Sequence, residues 1–128
     1  MRRRNQNRLR HTLLACLLLF NAAPGWARVD FIRDVKPILE LRCVRCHGPD
    51  RAMRGLRLDR KERAMMAIVK KNPSESSMFA AMQSGYMPPG GKKLSDAEVE
   101  TIRKWIMEGA RWPKGVELEG KNPFVPAR

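Results

Sequence analysis

Two thiols three residues apart, followed at once by an imidazole, stand together at Cys43-Val44-Arg45-Cys46-His47 in a chain of 128 residues. A Cys-x-x-Cys-His run has the spacing of a c-type haem attachment site. Each thiol can add across one vinyl group to give a thioether, and the adjoining histidine can offer a ring nitrogen to the iron. Two other chemistries use cysteine pairs. A structural zinc site needs four protein ligands, and no second Cys or His pair is present to close the set. A redox-active dithiol belongs in a βαβ setting, of which the chain gives no sign. Covalent haem needs only these residues, apolar cover and an exported location.

The N-terminus supplies the last of these. Arg2, Arg3, Arg4, Arg8 and Arg10 make a basic start without acids, an apolar run over residues 12–20 follows, and Gly25-Trp26-Ala27 places small residues at the −3 and −1 positions of a cleavage site. Residues 1–27 therefore read as a signal peptide, and the apolar run is far short of the ~20 residues of a membrane-spanning helix. Cys16 lies inside that run and reads as signal interior rather than a lipoprotein site; an uncleaved anchor is the alternative. Cleavage after Ala27 leaves 21 basic against 13 acidic residues, a formal +8 where the whole chain has +13. It also removes Cys16 and His11, so Cys43, Cys46 and His47 become the only Cys and His residues.

A second axial histidine is then excluded within one chain, and methionine is the usual alternative, one that raises the reduction potential. The candidates are Met53, Met65, Met66, Met78, Met82, Met87 and Met107. Met53 follows His47 too closely to arch over the opposite face. Met65, Met66, Met78, Met82 and Met107 sit in helical patterns, where core filling explains them. Met87 stands in Tyr86-Met87-Pro88-Pro89-Gly90-Gly91, a proline-stiffened loop that pre-positions a ligand at little cost in chain entropy. It is the preferred sixth ligand, with Met82 next and an open site third.

The elements that must position these residues are helical. Phe31, Val35, Leu39, Cys43 and Cys46, with Ile38 beside them, form one apolar stripe leading into the motif, with Asp34 as the expected N-cap and Pro37 in the first turn. Its plain explanation is core, here the haem face. Gly48-Pro49-Asp50 stops that helix. Gly55-Leu56-Arg57-Leu58-Asp59 alternates and reads as a short strand or an extended loop on the cofactor, with Arg57 within reach of a haem propionate or simply solvated. Residues 64–69 suggest a short helix, and Ser74 is the expected cap of another running to about Gln83. The last helix opens on a capping box, Ser95-Asp96-Ala97-Glu98, with Leu94 and Val99 as hydrophobic staple. Val99, Ile102, Trp105 and Ile106 make its buried face, Glu100 and Lys104 an i,i+4 pair, and Gly109 the stop. No period marks residues 114–128, and no internal repeat or low-complexity tract appears.

Cys43-Val44-Arg45-Cys46-His47-Gly48, Met87-Pro88-Pro89 and the ending Trp105-Ile106-x-x-Gly109-Ala110-x-Trp112-Pro113 resemble small class I c-type cytochromes. The chain looks most similar to the planctomycete-type cytochrome c domain, whose pattern Phe31-x-x-x-Val35-x-Pro37-Ile38-Leu39 and Gly55-Leu56-Arg57-Leu58-Asp59 also match. The resemblance spans residues 31–113. It implies an all-α fold of about four to five helices, with the first and last crossing and one haem gripped between His47 and Met87. Two departures stand out: the glycine-rich stretch expected between Asp59 and Pro73 is absent, and the chain ends soon after the haem unit, where the family's domain often precedes larger ones. The expected organisation is signal peptide 1–27, monohaem domain 28–113 and tail 114–128.

The expected role is a periplasmic electron carrier with one haem c, bound through Cys43 and Cys46 and ligated by His47 and Met87. No titratable group beside the motif suits acid–base catalysis, so an enzyme is not expected. The competing readings are a haem enzyme or gas-binding module with an open sixth site, and a fixed relay subunit of a larger dehydrogenase. The positive charge suits redox partners with an acidic docking face, and an exported chain has no nucleic acid to meet. Membrane contact is open, though not by a spanning helix.

Overall fold

The computed structural model describes residues 27–120. Nearly all of the expected signal peptide lies outside the described residues. Four helices and no strand occur among them. Helix α1 has a π-wound first turn, Phe31–Val35, and continues as α-helix through Lys36–Arg42. α2 is Lys61–Ala64, α3 is Ser77–Gln83 and α4 is Asp96–Met107. The short 3-10 turn Met53–Gly55 interrupts the loop between α1 and α2. None of these helices is long and apolar enough to cross a membrane.

The N-cap of α1 is Asp30, not Asp34. Its carboxylate accepts from the Arg33 N–H at 2.8 Å, while the Asp34 carboxylate reaches back to the Asp30 N–H at 2.9 Å. Asp34 thus completes a reciprocal cap from inside the first turn. The wide π turn falls just before Pro37, whose ring would press on the carbonyl of Arg33 in a regular helix.

Of the apolar stripe, Phe31, Val35, Ile38, Leu39 and Cys43 lie in one core cluster, while Cys46 is half-buried. Its two halves have different partners. Phe31 packs on Trp112 and Trp105, with ring centroids at 4.3 and 5.7 Å. This brings the first turn of α1 against α4, the crossing of first and last helices that the resemblance implied. Only the Cys43 end faces the candidate site, so the stripe is not all haem face.

α4 is the element whose ends match expectation most closely. Ser95 and Glu98 form the capping box in both directions, and Ile102, Trp105 and Ile106 are buried. Glu100 pairs at short range with Arg103, through two contacts of 2.7 and 2.8 Å, and Lys104 stands at 4.0 Å. Gly109, at φ +100, turns the chain out of the helix.

The middle helices sit differently from expectation. α2 ends where residues 64–69 suggested a helix would begin; Ala67 and Ile68 are buried in the turn that follows. The Ser76 hydroxyl explains the interruption. It accepts from the Val69 N–H at 2.9 Å and reaches the Asn72 carbonyl at 2.8 Å, bracing a turn where a helix would need those groups. α3 accordingly starts after Ser76, while Ser74 bonds the Asn72 side chain instead of capping it.

Residues 114–120 lie back across the fold. Leu118 is buried and its N–H donates to the Asp59 carbonyl at 2.7 Å, while the Glu119 N–H donates to buried Glu40 at 3.1 Å. Lys36 pairs with the same Glu40 carboxylate. The stretch 55–59 carries no strand and runs as extended loop.

Candidate functional site

The motif leaves the end of α1 as tight turns. The N–H groups of Cys43 and Val44 both donate to the Leu39 carbonyl at 2.9 Å, and His47 donates to the Cys43 carbonyl at 2.9 Å. Gly48 is required here for space: a Cβ on it would sit 2.3 Å from the Val44 carbonyl oxygen. The following loop then folds back, with Met53 N–H donating to Cys46 and Leu58 N–H to His47, at 3.1 and 2.7 Å. These bonds present both sulfurs and the imidazole to one side.

That side is a cavity of about 310 Å³, lined by Cys43, Cys46 and His47 from the motif, Leu56 and Leu58 from the loop, Met78 and Met82 from α3, and Met87, Pro88 and Pro89 from the loop after it. Its size falls within the range of ligand and cofactor sites, and its walls are mostly apolar with few polar groups. Met53 also lines it; Met65, Met66 and Met107 do not. The 84–91 loop is fastened to α3 by the Met87 N–H, which donates to the Ala81 carbonyl at 2.9 Å.

Three observations test whether these residues fit a covalent haem. First, neither Cys43 nor Cys46 is in a disulfide, and burial pushes the Cys43 thiol up to about 12 against the opposing charge of Arg42. A sulfur held neutral in an apolar wall fits a thioether, and it disfavours the thiolate that dithiol exchange needs. Second, the His47 Nδ1 lies 3.3 Å from the Leu56 carbonyl. With the Nδ1 proton donated there, the lone pair remains on Nε2, the orientation that an outer carbonyl imposes on a metal-binding imidazole. Third, among the described residues no cluster of three or more Cys, His, Asp or Glu offers a zinc set. The residues fit the group.

Two cations line the cavity, Arg42 and Arg54. Arg42 is committed to Glu98, with Nε to Oε1 at 3.0 Å, so the capping residue of α4 also steadies the last turn of α1. Arg54 makes no ion pair among the described residues and is held at φ +54, a left-handed conformation that costs an arginine free energy and recurs at functional sites. Arg57, the residue expected near a propionate, is instead taken by Asp59 at 2.9 and 2.5 Å. The sequence pattern did not single out Arg54; only the chain's return over the motif brings it to the cavity.

An all-α fold of this size, closing an apolar cavity over Cys-x-x-Cys-His and facing methionines, is that of a small cytochrome c. The family model described as Planctomycete cytochrome C matches residues 43–91, a stretch that opens on Cys43 and contains Met87-Pro88-Pro89. Over that stretch the chain is similar to the planctomycete-type cytochrome c domain, consistent with the resemblance drawn from its motifs. Neither the curated proteins nor the solved structures gave a match.

Proposed function

We propose that this protein is an exported monohaem c-type cytochrome that passes single electrons between redox proteins. The observation that carries the reading is that Cys43, Cys46, His47 and Met87 line one apolar cavity. Cys43 and Cys46 would hold haem c as thioethers, each sulfur bonding one vinyl carbon while hydrogen adds to the next. His47 would give Nε2 to the iron and Met87 its sulfur. When bound, the haem supplies an iron that cycles between Fe(II) and Fe(III).

The chain's own residues do the rest. Leu56 orients the imidazole through Nδ1. Leu58, Met78 and Met82, all at most 5 % exposed, keep water from the cavity wall. A dry site lowers the reorganisation that a change of charge would demand. Arg54 is the cavity cation left to meet the haem carboxylates, and Tyr86 and Met53 stand exposed at the rim. A methionine on the sixth position leaves no place for substrate, which favours transfer over catalysis. Export to the periplasm is supported by the basic and apolar start at residues 2–20 and by Gly25-Trp26-Ala27.

The test is the mass of the purified protein together with the visible spectrum of Met87→Ala. One added haem and a start at Arg28 are expected, with loss of the sulfur–iron band near the red end in the variant. A bare chain mass overturns the cofactor. An unchanged spectrum in Met87→Ala overturns the ligand, and loss of the band in Met82→Ala instead would move the assignment to that residue.

A further inference from the structure

A second recess lies at the other end of α1 from the cavity. Its volume is about 520 Å³, and Arg28, Phe31, Lys61, Lys70, Arg111 and Trp112 are among its walls. The two hollows share no lining residue. Phe31 borders this cleft and Arg42 the cavity, and a rise of about 1.5 Å per residue sets them roughly 16 Å apart along the helix.

Four cations line the cleft, against Asp30, which is occupied in capping α1, and Glu108 at its edge, which accepts from the Val29 N–H at 3.0 Å. Several basic residues elsewhere are matched, Arg33 with Asp34, Arg42 with Glu98, Arg57 with Asp59 and Arg103 with Glu100, and others stand unpaired on the surface. Here Lys61, Lys70 and Arg111 make no ion pair among the described residues, and Arg28 stands 3.9 Å from Glu108. A charge run that served solubility alone would lie on a convex solvated face; these cations gather round a concavity.

The wall that carries Arg111 is built rigidly. Gly109 and Ala110 both have positive φ, +100 and +50, a conformation an alanine seldom adopts. The Ala110 N–H donates to the Trp105 carbonyl at 2.9 Å, and Trp105 Nε1 donates to the Arg111 carbonyl at 2.8 Å. The strained turn therefore fixes the arginine's backbone in a wall shared with Phe31 and Trp112. That aromatic wall brings no competing acid and lowers the local screening of charge.

We infer that this cleft is a docking site for an acidic segment of a partner polypeptide, whose carboxylates meet Lys61, Lys70 and Arg111. A protruding chain can enter a concavity that a flat lipid surface cannot, and the charge complementarity is of the kind that fixes register and speeds encounter. The partner's redox role rests on the electron-carrier reading; the docking itself does not. A segment seated here leaves the cavity rim at Met53 and Tyr86 uncovered, so one partner can hold the protein while another exchanges electrons with it. This is the arrangement of a fixed relay rather than of a freely diffusing carrier.

The test is an NMR titration of the haem-loaded full chain with a hexaglutamate peptide at low salt. Shifts are expected at Lys61, Lys70, Arg111 and the Trp112 indole N–H, reversed by high salt, with Tyr86 and Met53 unmoved. Lys61→Glu/Lys70→Glu should weaken binding about tenfold or more, while Lys92→Glu, a charge reversal at a residue that lines neither hollow, should not. Absence of shifts overturns the inference, as does a response centred on Arg42 and Arg54, or an equal loss in Lys92→Glu. So does capture by phosphatidylglycerol vesicles without any response to the peptide. The visible spectrum of the same sample separates the two claims: missing haem bands sink the electron-carrier reading and leave the peptide result standing.

Discussion

At the Phe31 end of α1, three aromatic rings fill the space between the first and last helices, and both indole N–H groups reach backbone carbonyls, Trp105 that of Arg111 and Trp112 that of Val116, at 2.8 Å. At the Cys43 end, side chains just as apolar surround a hollow of about 310 Å³. Protein interiors are close-packed, and unfilled space of that size forfeits dispersion contacts on every wall. At one end the chain packs its own rings against each other, and the recess beside them is rimmed by cations. At the other the walls are apolar, and the residues bordering the hollow are those that could bond a cofactor covalently. The contrast supports placing the proposed cofactor in the apolar hollow.

The largest effect that would break this contrast is at the Phe31 end. Trp105→Ala should cost about 3–5 kcal/mol of unfolding free energy in denaturant titrations of the haem-loaded protein, because a ring only 1 % exposed leaves a void and the Arg111 carbonyl loses its donor. Under native conditions the haem spectrum should not change. A spectral change accompanying a small stability loss would mean that the two ends are not separate.

Met82→Ala probes the Cys43 end. Met82 is 4 % exposed yet borders the hollow, so truncating it in haem-free protein only enlarges a space that is already open. With haem in place the same truncation removes contacts, and the cost should rise to about 2 kcal/mol, the lower end for a buried methionine. Equal costs in the two forms, measured by the same denaturant titrations, would show that the hollow is not where haem packs.

Between the two ends, Gly48→Ala tests the turn that aims the motif. A methyl group 2.3 Å from the Val44 carbonyl must push backbone, not a flexible side chain, and overpacking of this kind costs about 1–3 kcal/mol. The expected result is a lower thermal midpoint and a smaller yield of covalently loaded protein by mass. Wild-type loading and stability would mean that the motif tolerates another path.

How legible was this in the sequence? The motif, the Met-Pro-Pro loop and the capping box of α4 are local patterns whose physics is complete within a few residues, and the structure places each accordingly. Asp30 and Asp34 were harder, because either carboxylate could cap; only the backbone path into the π turn selects Asp30. The interruption of the helix expected over 64–69 turned on Ser76, seven residues past Val69 and invisible to a periodicity argument. Arg57 and Arg54 are equally basic in the sequence. Which of them faces the cavity depends on the loop's twist and on Asp59, two residues away, which claims Arg57. The basic cleft is the extreme case, assembled from four separate stretches of chain.

Asp59 also carries the smallest of the expected effects, and the sign can be worked out. The Arg57 guanidinium holds its carboxyl below the usual carboxylate range, against burial that would raise it, with further help from backbone N–H and Arg60. A carboxyl whose pKa is lower in the folded state stabilises that state fully at pH values above the unfolded pKa of about 3.9, and the contribution is lost as pH falls through the folded value. Acid should therefore weaken the fold below about pH 4 and leave neutral pH untouched. The Asp59 carbonyl accepts from the Leu118 N–H at 2.7 Å, so the first sign should be faster hydrogen exchange at Leu118. Asp59→Asn should flatten that acid limb while costing no more than about 1–2 kcal/mol at pH 7. An acid limb identical in the variant would mean that the Arg57–Asp59 pair is not what ties the C-terminal stretch to the loop beneath the cavity.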